Sequence, residues 1–250
     1  MNKSFYVGAI GAAQTTKRLS VIANNLANTN NTGFKPKKVA FSELIEYNIK
    51  EPEEAVTNLQ AGAGTKVART YTSFEPGAFQ QSGSDLDFAI AKRNTFFSVQ
   101  DPETGDVSYT RDGHFHRAQM EDGNFYLMTD SEKYVLDTGG QRIRMENLEG
   151  SDTATEATVQ RIGLVTFQYP SRLLSQEANE YVPSDAGVQA IPLVEGERSN
   201  ALVGGALEAS DTDMAEEFSH VIEAQRAFSY ALRMVTTSDE IMSTINTLRG

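Results

Sequence analysis

Cysteine and tryptophan are both absent from the 250 residues. Without thiols the chain has no disulfides, no thiolate metal sites and no cysteine nucleophile. Basic charge is scarce: Lys+Arg 22 against Asp+Glu 34 leaves a formal net charge of -12, so no positive field is available to hold phosphate backbones. Nucleic-acid binding is thereby disfavoured. Long apolar runs are missing too, all falling far short of the ~18 residues a membrane span needs. Polar residues recur too often in the first segment for the apolar core of a cleaved secretory leader, so the expectation is a protein that stays in the cytoplasm or leaves it without one. What is present, 39% hydrophobic residues in 250, suffices for one or two folded cores.

The two ends carry a heptad rhythm. Phe5, Ala9, Ala12, Thr16, Leu19, Ala23 and Leu26 alternate spacings of four and three, with Ile22 widening the stripe. Only a helix puts those side chains on one face. Lys3, Gln14, Lys17, Arg18, Asn24 and Asn25 occupy the other. The spacing predicts a helix from about Ser4 to Ala27, stopped by Asn28-Thr29-Asn30-Asn31-Thr32-Gly33, whose residues tolerate left-handed backbone angles. At the other end Met214, Phe218, Val221, Gln225, Phe228, Leu232 and Val235 repeat the rhythm, and Ile241, Ile245 and Leu248 continue it with the drift of a 3.6-residue turn read against 3.5. Ser210 and Asp213 have capping-box spacing, and Asp211, Asp213, Glu216 and Glu217 complement a helix N-terminus. Both stripes are predicted seams for another helix. The plainer alternative is that each packs on its own domain's sheet. The small residues Ala9, Ala12, Ala13 and Ala23 favour close helix approach over packing on a sheet.

Between the ends the texture is that of a β domain. From Gly62 to about Val194 turn-formers recur roughly every ten residues, separating short segments rich in aromatic and β-branched residues such as Phe96-Phe97-Ser98-Val99 and Val107-Ser108-Tyr109-Thr110. Such spacing predicts antiparallel strands. The preceding stretch, with Lys37, Lys38, Phe41, Leu44 and Ile45 followed by acidic Glu51-Pro52-Glu53-Glu54, reads as a linker carrying a short helix.

No catalytic constellation is expected. His114 and His116 would face the same side of a strand, but no third ligand stands at a recognisable spacing. Asp85 and Asp87 fit a strand-entry turn better than a carboxylate pair for acid–base work. Gly62-Ala63-Gly64 is followed by no Gly-Lys-Ser/Thr and so is no phosphate loop.

The segment ANNLANTNNTGFK, Ala23 to Lys35, resembles the N-terminal signature of the bacterial flagellar rod and hook axial proteins. LDFAI (Leu86–Ile90), YTRDGHF (Tyr109–Phe115), LEASDTDMAEEFSHVIEAQRAF (Leu207–Phe228) and TTSDEIM (Thr236–Met242) agree in order, so the resemblance runs end to end. Within the family it leans toward distal rod subunits, through the C-terminal block and LQAGAGTKVA (Leu59–Ala68), rather than proximal-rod or hook-type ones. Two departures stand out. Lys92-Arg93-Asn94-Thr95 replaces a glycine-rich turn, and Asp211 replaces an asparagine.

The resemblance implies an α+β fold. Its N- and C-terminal helices pair as a coiled-coil domain, with a central mainly antiparallel β domain. On this sequence that gives the N-terminal helix in 1–33, a linker in 34–61, the β domain in 62–195, and a connecting loop and C-terminal helix in 196–250. It also implies a structural subunit of the basal-body rod, not an enzyme, that polymerises helically into a hollow, torque-transmitting shaft. Its partners would be copies of itself, other flagellar rod and hook proteins, and the flagellar type III export apparatus, which takes substrates without a cleaved signal. No cofactor, metal, nucleic acid or small-molecule substrate is implied. The signature residues carried over are Asn24, Asn25, Leu26, Ala27, Asn28, Thr32, Gly33, Phe34 and Lys35. A reading of another class, a soluble β-domain binding module on a helical dimerisation stalk, requires the helices to form a closed dimer.

Overall fold

Amphipathic helix at both ends and turn-punctuated β sequence between them translate directly into the architecture. A computed structural model describes residues 3–44, 47–48, 60–145, 161–185 and 187–249. They form two compact units. One takes Met1–Ala27, Lys37–Thr72 and Asp213–Gly250, and the other takes Asn28–Pro36 and Ser73–Thr212, so the backbone passes between units at 27/28, 36/37, 72/73 and 212/213.

In the first unit the N-terminal helix Lys3–Ala27 packs against the C-terminal helix Met214–Arg249. Contacts between Ser4 and Ser238, and between Arg18 and Glu223, show that the two run antiparallel. Asp213 starts the C-terminal helix, its Oδ1 accepting the Ala215 and Glu216 amides at 2.8 and 3.2 Å. The expected Ser210–Asp213 capping box is therefore not the cap that forms. Ser210 Oγ instead donates to Thr212 Oγ1 at 3.0 Å, because the chain is still extended there and Asp213 is the last residue before helical geometry.

Strands Lys37–Glu43 and Thr65–Thr72 form an antiparallel ribbon beside the N-terminal helix, in register from Lys37↔Thr72 to Glu43↔Thr65 with a bulge at Ala40/Phe41. The Val67 amide donates to Gln14 Oε1 at 3.0 Å. The stretch read as linker with a short helix thus contains a strand. Lys37 and Lys38 suggested a solvated connector, but the partner strand supplies Thr65, Val67, Thr70 and Thr72, and strand formation follows the partner more than the intrinsic preference. Glu51–Glu54 lies outside the described residues.

Among the described residues the second unit is built on a ten-stranded sheet whose strand pairs are antiparallel. Its buried middle strand Thr95–Gln100 lies between Tyr134–Val135, Val107–Thr110 and Leu164–Thr166. Phe88, Ile90, Phe97, Leu127, Val135 and Ile162 centre the largest apolar cluster, and Phe74, Phe96, Phe167 and Tyr181 a second, stacked edge to face. Two short pairings lie outside the large sheet: Leu202–Gly204 on Phe88–Ile90, and Ala206–Glu208 on Phe79–Gln81. Where glycine was expected after Phe88–Ile90, Asn94 takes the left-handed conformation at φ 56, which asparagine tolerates better than most residues.

Candidate assembly interface

The helix pair closes through small residues. On the C-terminal helix the half-buried and buried positions are Glu217, His220, Val221, Ala224, Ala231, Val235 and Ser238, which share only Val221 and Val235 with the bulky stripe. Opposite them are Gly8, Ala12 and Ile22, all buried. A Cβ on Gly8 would lie 3.0 Å from the Ala231 carbonyl oxygen and 3.0 Å from Val235 Cγ2, so the two backbones approach as closely as glycine permits. Polar clasps fix the register. Arg18 pairs with Glu223 at 3.0 Å, and Asn25 donates to Glu217 Oε1 at 2.8 Å while exchanging two 2.9 Å bonds with the Lys37 backbone.

The expected seam is divided by this packing. Ala12 and Ile22 are buried, and Leu19, Leu26, Val221 and Val235 half-buried, whereas Phe5, Ala9, Thr16 and Ala23 are exposed. On the C-terminal helix Met214, Phe218, Gln225, Phe228, Leu232, Ile241, Ile245 and Leu248 are exposed. These exposed apolar side chains make two strips. Met214, Phe218, Ile222 and Leu232 run down one flank of the first half; Tyr230, Met234, Ile241, Ile245 and Leu248 run down another in the second half. At 3.6 residues per turn the strips lie about 150° apart, one on each side of the internal seam.

Ser4 Oγ meets Ser238 Oγ at 2.6 Å, and beyond Ser238 the C-terminal helix runs on to Arg249, roughly 15 Å. Met242 extends the internal rhythm of Ala231, Val235 and Ser238 but is exposed, and Leu248 is 83% exposed.

Of the signature residues, Asn28, Thr32, Gly33, Phe34 and Lys35 belong to the second unit. Thr32 donates to Asp112 Oδ1 at 2.7 Å. Gly33 adopts φ 64, and a Cβ there would strike the Arg111 backbone at 2.6 Å, so both conformation and space require glycine. Phe34 is buried. Lys35 is wholly buried and donates to Glu208 Oε1 at 2.6 Å and to the Glu75 carbonyl. The other oxygen of Glu208 accepts from Arg111, also wholly buried, at 2.9 Å. Burial pushes the Lys35 ammonium below its ordinary value, against the opposing pull of Glu208. On the helix itself Asn24 and Ala27 are exposed, Leu26 and, just beyond it, Asn28 half-buried. Arg111 and Glu208 were not singled out from sequence, because no periodicity links positions 35, 111 and 208; their only signal was to stand inside the recognised blocks.

His114 and His116 lie on either side of Asp130, at 3.9 and 3.7 Å, and His114 Nδ1 meets the buried Asp87 carboxylate at 2.8 Å. Burial lowers the His114 pKa, but the Asp87 hydrogen bond and the charges of Asp130, Asp87 and Asp112 outweigh it, and the net shift is upward. Among the described residues no group of three or more His, Cys, Asp or Glu is placed to hold a metal ion.

Three family models match: residues 5–35 the flagella basal body rod protein, 92–167 the flagellar hook protein FlgE/F/G D1 domain, and 203–248 the C-terminal part of the flagellar basal body rod FlgEFG protein. The flagellar basal-body rod protein FlgG of Bacillus subtilis (strain 168) is 30% identical over 272 residues, covering 100% of both chains. The chain belongs to the flagellar basal-body rod and hook protein family. The flagellar hook-basal body complex protein FlhP of the same organism is 28% identical over 273 residues and 100% of both chains. FlgF of Rhizobium meliloti (strain 1021) is 27% identical over 259 residues, covering 100% of this chain and 99% of its own. As a member of this family, the protein is a structural rod subunit of the flagellar basal body.

Proposed function

We propose that this rod subunit polymerises with copies of itself into an open helical assembly, the first apolar strip of one copy meeting the second strip of the next. The observation that carries this reading is the pair of unlike strips on opposite flanks of the C-terminal helix. A closed dimer pairs one patch with its own copy and leaves the other strip in water; two unlike strips suit head-to-tail contacts, which do not close. Other rod and hook subunits would dock above and below through the same surfaces, giving a hollow shaft that carries torque. Export through the flagellar type III apparatus is part of the reading, supported by the family and by a chain that needs no disulfide formation. A distal position is favoured over a proximal one by the resemblance of the Leu59–Ala68 and C-terminal blocks.

The cysteine-free background makes the test direct. With Phe218→Cys and Ile245→Cys together, oxidation under assembling conditions should give a ladder of multimers, and each single variant only monomer. Dimers alone, formed equally by one single variant, would instead favour the stalk-dimer reading and sink this one.

A further inference from the structure

The buried ions of the second unit are arranged unlike a core. Lys35 follows the N-terminal helix, Glu208 precedes the C-terminal helix, and Arg111 comes from the middle of the chain. Glu208 accepts from Lys35 and the Gly77 amide on one oxygen and from Arg111 Nε on the other, with an Arg111 terminal nitrogen also 2.9 Å from that second oxygen. Two cations face one carboxylate. Arg111 directs its remaining donors to the carbonyls of Ile90 and Thr95, at 3.0 and 2.8 Å.

Backbone bonds then stitch the two end segments together: Gly33 donates to the Glu208 carbonyl at 2.7 Å, and Asp211 to that of Phe34 at 3.3 Å. Yet none of the three apolar clusters formed by the described residues contains a residue of 28–36 or 205–212. These segments, from which both helices emerge, bury Phe34 and Ala206 outside those clusters, and charge and hydrogen bonds tie them to one another. A buried ion pair adds little net stability but is costly to break, because removing one partner strands the other in a place without water. It acts on geometry more than on folding free energy.

We infer that Lys35, Arg111 and Glu208 form a latch that fixes the two helix roots within the β-rich unit and opens locally, ahead of the sheet. Native-state hydrogen exchange of the full chain reads this directly. In Glu208→Gln the amides of Gly33, Ala209 and Asp211 should lose at least roughly a hundredfold of protection, the two stranded cations driving the segments apart. Leu127 and Leu136 amides, bonded inside the sheet, should keep theirs. Lys35→Met leaves the Arg111–Glu208 pair intact and neutral in sum; it should loosen the same amides by roughly tenfold, selectively. Uniform loss across the sheet in either variant, or unchanged protection at Gly33 and Asp211 in both, overturns the latch.

Discussion

The two units solve opposite packing problems. In the β-rich unit the largest side chains point inward: Phe88, Phe96, Phe97 and Leu127 are 0% exposed. In the helical unit the order is inverted, with Gly8, Ala12 and Ala224 inside and Phe218, Ile222 and Leu232 outside. A unit that hides its bulk is complete by itself. One that hides its small residues leaves its bulk in water, and in this rod subunit we propose that a neighbouring subunit covers it.

The contrast breaks most visibly by truncating one phenylalanine in each unit. Phe97→Ala should cost about 3–5 kcal/mol of stability of the β-rich unit, the usual penalty for emptying a packed aromatic site. Phe218→Ala should leave monomer stability within about 0.5 kcal/mol, as for other exposed positions, while abolishing polymerisation. Denaturant melts followed by light scattering check both. A destabilised Phe218→Ala monomer would place that side chain inside.

Gly8→Val sharpens the same comparison from within the helical unit. The added carbons meet the Ala231 carbonyl and Val235 at contact distance already, so the helices must part, at about 1–3 kcal/mol. Loss of helical circular dichroism at lower temperature, with the β-rich unit's transition unmoved, is the expected result.

The smallest effect is the pH dependence of the β-rich unit. His114 titrates above 6.5 in the folded chain, so its contribution is fully present below that value and fades as pH rises through the raised folded value. With the ring half exposed, solvent screening keeps it below about 1 kcal/mol. The melting midpoint of His114→Asn should be flat across that window where the parent declines.

Much of this was legible beforehand, and the failures have physical causes. Helix periodicity and turn spacing are local, so the terminal helices and most strands of the second unit, such as Thr95–Gln100 and Val107–Thr110, followed from them. Lys37–Glu43 was not legible as a strand, since its partner lies beyond an insertion of some twenty residues. Within each helix the stripe was readable, but not its division between an internal partner and open water. That depends on which flank the neighbouring helix takes, and Gly8 and Ala231 decided it by allowing the closer approach.

The amino-acid sequence alone determined the α+β class, the heptad faces, the absence of thiol chemistry and, through its recognised blocks, the family. Tertiary structure alone decided that small residues close the helix pair and that charges at positions 35, 111 and 208 meet. The physical reason is one of range. Periodicity and turn preference act between residues a few positions apart, whereas a buried carboxylate and its cations find each other only after the chain has folded across nearly its whole length.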